Sequence, residues 1–313
     1  MTNLSVRDFA NLVATDVREI LGKNFTVTVH EVLKNNSIKY TGIQIRKEDA
    51  ILAPTIYVDS MYAEYSEMKM TLVEVVDNVL CSYNSSEAER ILDFSLSDKE
   101  TIRNNITFTL VNADMNKELL EQVPYLKVLD YAIVFRVISH VDSEGMASIR
   151  MTNDYMKACD LDMQELTRLA NANTRKFHKS YLSPIEEVIK VNSDGYCPTS
   201  QGSLSLHVLS NTMKLNGATT ILLPEVREQL LNLFSEDARL IPSSVHEWII
   251  MNAPVATAYD EFGQLDTLIS EVNQTHVAQE DILGWHAYTL KELTDAIDLA
   301  IQEAVTSIKH TEV

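Results

Sequence analysis

Cysteine is scarce: Cys81, Cys159 and Cys197 are the only three in 313 residues. Odd in number and far apart, they form neither a disulfide framework nor a CxxC metal knuckle, and a reducing compartment suits them best. No stretch approaches the ~18–20 consecutive apolar residues of a membrane helix. The opening MTNLSVRDFANLVATDVREIL is amphipathic, without the basic flank, apolar centre and small-residue cleavage site of a secretory signal, so a cytoplasmic setting is expected. Basic residues are also outnumbered, 26 Lys and Arg against 45 Asp and Glu, for a formal net charge of −19. Attraction to a phosphate backbone comes from clustered cations, so direct nucleic-acid binding is not expected.

The usual catalytic signatures are incomplete. His246 and Glu247 begin an HExxH pattern, but the second imidazole must sit four residues on to share a helical face, and that position is Ile250. Ser243 and Ser244 stand beside His246 as candidate nucleophiles without the Gly-x-Ser-x-Gly elbow that exposes a hydroxyl. Their structural alternative is a turn in which the hydroxyls satisfy backbone groups and His246 donates to a carbonyl. Asn216 and Gly217 precede a helix and offer N–H groups to an anion, yet the P-loop lysine and the Rossmann glycine spacing are missing. Backbone freedom in a tight turn is the plainer reason for Gly217. His207, His276 and His286 are too scattered to propose as metal ligands, and no cofactor is expected.

What is present is a clear alternation of helix and strand patterns in a chain that is 45% hydrophobic. The densest stretch is Leu204 to Met251. Leu204, Leu206 and Val208 alternate with polar residues as a half-buried strand does, and Pro224 opens a helix carrying Val226, Leu230, Leu233 and Phe234. Leu240–Ile241 and Val245–Met251 follow as strands about a turn at Pro242, Ser243 and Ser244. The reading is a β-α-β-β unit with HEWII extended.

Upstream, Ser5 to Leu21 places Phe9, Leu12, Val13, Val17, Ile20 and Leu21 on one helical stripe ending at Gly22. Strands are expected over 24–33, 38–46 and 51–58, the last at an edge because of Pro54. Two helices over 60–83 and a short one up to Arg103 come next, followed by a strand over 106–111 and a short helix ending before Pro124. VLDYAIVFRVISHV (128–141) with 146–151 reads as a hairpin, on which Arg136 and His140 fall two pleats apart on one face and are candidate ligand contacts. Helices are expected over 152–158 and 162–172. Arg175, Lys176, His178 and Lys179 form a basic cluster, read as surface ion pairs. A Gly/Ser/Pro-rich boundary follows at 191–203, then a helix over 261–277, a short strand at 285–288 and a last helix over 290–308. From Asp260 to Val313, 11 Asp and Glu face two Lys, which makes the C-terminal helices an acidic face.

LSNTMKLNGATTILLPEVREQLLNLF with LIPSSVHEWII resembles a bacterial family, common in gut Firmicutes, known as domain-of-unknown-function family 5688. VTVHEVLKNNSIKYTGIQI, APTIYVDSMYAEY, VNADMNKELL, YAIVFRVI and LISEVNQTHVAQEDIL resemble its pattern in the same order, and Trp248 stands where a small aliphatic residue would be expected. The resemblance spans nearly the whole chain. It implies a bacterial cytoplasmic setting and no particular reaction.

Together these patterns give an α+β protein: an N-terminal helix-plus-antiparallel-sheet module (1–112), a central mixed segment of hairpin and helices (113–192), and a C-terminal β-α-β-β unit with acidic helices (204–313). The leading functional expectation is a non-catalytic interaction or accessory protein whose acidic surface meets a basic protein. The alternatives are a hydrolase using Ser243 or Ser244 with His246, and an acidic decoy imitating nucleic acid.

Overall fold

The computed structural model describes residues 4–48, 53–89, 98–141, 145–192, 206–260 and 264–306. It is an α+β fold in two compact units, residues 1–34 with 38–93, and residues 35–37 with 94–313.

In the first unit, helix α1 (Val6–Leu21) starts where the Ser5 hydroxyl accepts the Asp8 N–H and stops at Gly22, whose φ of 78° only glycine adopts without strain. It packs on a three-stranded antiparallel sheet of β1 (Phe25–Leu33), β2 (Lys39–Lys47) and β3 (Thr55–Tyr57), in that order. Register pairs Val27 with Ile45 and Val29 with Ile43, so one face meets α1. The buried stripe of α1 is Phe9, Ala10, Val13, Ala14 and Val17, while Leu12 and Ile20 are 45% and 61% exposed, contrary to expectation. A helix turns an arc of roughly 100° toward its sheet, and the two alanines complete that arc. Helices α2 (Asp59–Ser66) and α3 (Leu72–Glu89) close the core through Val58, Val75, Val76, Val79 and Tyr83. The edge position expected of the third strand is observed, with the Pro54 carbonyl accepting the Ile45 N–H.

The second unit opens with α4 (Lys99–Asn105), capped by Asp98, and β4 (Ile106–Asn112). The short α5 (Lys117–Leu120), β5 (Tyr125–Val128), β6 (Tyr131–Val141) and β7 (Met146–Arg150) follow. β6 lies between β4 on one side and β5 and β7 on the other. The run read as one strand over 128–141 is therefore broken, because a two-residue turn at Leu129 and Asp130 pairs Val128 with Tyr131. Leu129 sits at φ 48°, a conformation costly for a bulky side chain.

Helix α6 (Asn153–Ala158) is capped by Thr152 and α7 (Met163–Phe177) by Asp162. The latter runs past the expected end at residue 172, because Thr174 is used on the free edge of β4, where its hydroxyl accepts the Phe108 N–H. β8 (Ser180–Pro184) and α8 (Ile185–Asn192) were not anticipated, and the proposed boundary from residue 193 onward lies outside the described residues.

β9 (Leu206–Asn211), a 3-10 turn over Gly217–Leu222, α9 (Pro224–Leu233), β10 (Arg239–Ser244) and β11 (Glu247–Met251) form the β-α-β-β unit. The turn falls at Val245 and His246, not at Pro242–Ser244, which belong to β10. α10 (Ala253–Asp260), α11 (Gln264–Thr275), β12 (Tyr288–Thr289) and α12 (Leu290–Thr306) complete the chain. The sheet order is β12-β10-β11-β9-β8, antiparallel throughout.

One hydrophobic core joins this sheet to the β4–β6 sheet, so residues assigned to the central segment and to the C-terminal unit share it. Trp248 is its largest fully buried side chain, with the indole N–H donated to the Ala218 carbonyl (2.9 Å) and the ring edge-on to Tyr131. Burying an indole contributes on the order of 4 kcal/mol.

Candidate functional site

Six of the candidate residues converge at the β10–β11 turn. The Asn216 N–H donates to His246 Nδ1 (3.1 Å), and His246 Nε2 faces Asp281 Oδ1 (3.3 Å). A ring nitrogen that accepts an N–H carries no proton, so the proton sits on Nε2, facing the Asp281 carboxylate, and both edges of the imidazole are occupied. The His246 carbonyl accepts the Ser210 hydroxyl (2.7 Å).

Gly217 is needed here for close approach. A Cβ on it would stand 2.2 Å from Ser210 Oγ and 2.4 Å from the His246 carbonyl oxygen, whereas the left-handed residues of the loop are Lys214 (φ 53°) and Asn216 (φ 50°). Backbone freedom at Gly217 is thus not the reason for the glycine. Ser244 accepts the His246 N–H (3.1 Å), as a turn serine does, and Ser243 donates to Glu247 across the hairpin (3.1 Å). The imidazole is a brace between three loops, with each candidate hydroxyl bonded elsewhere.

Arg136 and His140 are not presented together. A bulge between Ile138 and His140 pairs Ile138 with Ser148 but His140 with Ala147, and paired residues share a sheet face, so His140 takes the register of the face opposite Arg136. Arg136 donates its Nε–H to Ser148 (2.7 Å), and burial together with the facing Arg150 pushes its pKa down to about 10. The basic cluster is likewise dispersed. Arg175 pairs with Glu225, Lys176 donates to Asn173, and His178 is buried against Asn211.

A second group, which the sequence reading passed over, gathers where β12 meets the β5–β6 turn. His286 donates Nδ1–H to Asp266 Oδ2 (2.7 Å), and Asp266 Oδ1 accepts the Ala287 N–H (3.1 Å). That carboxylate bond raises the His286 pKa, with a further contribution from Asp130. Tyr288 lies edge-on to Tyr131 (ring centroids 6.0 Å apart), and its phenol is raised by burial and then by Asp130 against its hydroxyl, with Glu292 and Asp266 adding to the effect. Among the described residues the Tyr131 hydroxyl is buried without a hydrogen-bond partner. Residues 130, 266, 286 and 288 show no common periodicity, so only the fold assembles them. Among the described residues no three His, Cys, Asp or Glu side chains are grouped to hold a metal ion, and no helix is long and apolar enough to cross a membrane.

These features define an α+β protein with an acidic, aromatic cluster on its second unit. The chain belongs to the Family of unknown function (DUF5688), whose model matches residues 6–291. No curated protein and no solved structure matches it.

Proposed function

We propose that the protein is a non-catalytic interaction or accessory protein whose acidic surface takes a basic protein partner. The observation that carries this reading is where the cations go. Arg103, Arg168, Arg175, Arg227, Lys99 and Lys291 are each paired with a carboxylate of their own chain, and 26 Lys and Arg cannot balance 45 Asp and Glu. The engagement of both His246 ring nitrogens supports a structural role for the best catalytic candidate. Within the C-terminal acidic stretch, Asp281, Glu292, Asp295 and Asp298 serve His246, the α12 cap, Lys291 and Arg227. Their spacing follows those partners, which gives the decoy reading no specific support. A bacterial, cytoplasmic setting accords with the family resemblance and with an exposed free thiol at Cys81.

The test is binding of the full chain to a fluorescein-labelled octa-arginine peptide, read by anisotropy. Affinity should fall at least about tenfold between about 0.05 and 0.3 M NaCl, because screening weakens contacts between exposed charges. No binding at low salt, or an affinity indifferent to salt, overturns the reading.

A further inference from the structure

We infer that Asp130, Asp266, His286 and Tyr288 form a binding site for one arginine or lysine side chain of a protein partner, an assignment that rests on the acidic-surface reading and locates it. Two carboxylates from distant parts of the chain, one in the β5–β6 turn and one on α11, converge on a half-buried tyrosine ring. Neither is paired with a Lys or Arg among the described residues, and the cationic group at hand is the exposed His286. Carboxylates grouped on a partly exposed surface are what a guanidinium or ammonium group requires, through charge-assisted hydrogen bonds.

One further observation points to an absent polar partner. The Tyr131 hydroxyl, fully buried within the field of Asp130, Asp266 and Tyr288, makes no hydrogen bond among the described residues, and a Cβ on Gly284 would come within 2.9 Å of it.

His286 then acts as an internal competitor. Protonated, it supplies the positive charge to Asp266 and repels an incoming cation, and neutral, it leaves the site to the ligand. The charged and titratable groups around it are Asp266 of α11, Asp130 of the turn, and Tyr288 beside Glu292 of α12.

The experiment is octa-arginine anisotropy with the full chain at low salt. Asp130→Asn and Asp266→Asn should each weaken binding about tenfold. A control that removes two charges rather than one, Glu19→Gln with Asp77→Asn on exposed positions of the first unit, should leave it within about twofold. Raising the pH from about 6 to about 8 should tighten binding by the wild type, and His286→Gln should remove that dependence. If Asp266→Asn does not fold by circular dichroism, Asp130→Asn and His286→Gln carry the test. Equal weakening by the control pair overturns the site while leaving the acidic-surface reading intact. A pH profile unchanged by His286→Gln overturns the site as well. Absence of wild-type binding removes both.

Discussion

His178 should make the protein acid-sensitive in a defined window. It follows the last turn of α7, only 2% exposed, with Nδ1 3.0 Å from Asn211 Nδ2. The Asn211 amide cannot flip, because its Nδ2 also donates to the Leu215 carbonyl (2.7 Å) and its Oδ1 accepts the Leu215 N–H (3.2 Å). The amide therefore donates to Nδ1, and the ring is neutral with its proton on Nε2. Burial lowers its pKa from 6.5 to about 4. The unfolded chain takes up a proton as pH falls through about 6.5 and the folded one does not until about 4, so stability is full above the upper value and drops across the interval.

At pH 4.5 this linkage amounts to about 2 kcal/mol relative to pH 7. Urea unfolding of the wild type and of His178→Gln at both pH values isolates it, since carboxylates such as Asp160 and Glu165, whose pKa values are lowered by Lys99 and Arg168, titrate in both proteins. The wild type should lose about 2 kcal/mol more than the variant on acidification. Equal losses would refute a buried neutral imidazole.

Two stability predictions concern backbone-shaping residues. Asn36, at φ 58°, donates its amide to the Gln279 and Ile282 carbonyls (2.8 and 2.7 Å) and accepts from Asn116 (2.9 Å). Asn36→Ala should cost about 3 kcal/mol in chemical denaturation, with Asn36→Gly recovering only the part due to backbone strain, and a loss under about 1 kcal/mol would contradict the network. Gly217→Ala should cost about 2–3 kcal/mol, because its methyl would overlap the Ser210 hydroxyl and the His246 carbonyl. An unchanged midpoint would mean that the loop yields freely.

Local alternation and capping made much of the fold legible. Val208, the inward Trp248 and Ile250, and the helix starts near Ser5, Thr152 and Asp162 follow from side-chain period and hydrogen-bonding chemistry within a few residues. The Leu129–Asp130 turn was hidden because its left-handed position falls on Leu129, a residue that does not favour that conformation, so VLDYAIVF reads as unbroken strand until Val128 is found opposite Tyr131. The bulge before His140 was hidden for a similar reason. One extra residue leaves no compositional mark, yet it inverts the faces of everything beyond it. The convergence of Asn216 with His246 was not legible either, because it depends on β9 pairing with β11, a contact set by the sheet rather than by sequence neighbours.

The two Asp–His pairs show why residue type alone decides so little. His246 with Asp281 and His286 with Asp266 are the same chemical couple. In the first, the opposite ring nitrogen accepts a backbone N–H and the side chain is 31% exposed, so protonation would set an N–H against an N–H and break the brace. In the second, Nδ1 alone is bound among the described residues and the side chain is 57% exposed, so Nε2 can gain or lose a proton without loss of structure. A group that can change charge at no structural cost, beside two carboxylates with no Lys or Arg partner among the described residues, is suited to exchange with an external cation. A group held at both edges is suited to hold loops together. The sequence motif drew attention to His246, but the unoccupied edge belongs to His286.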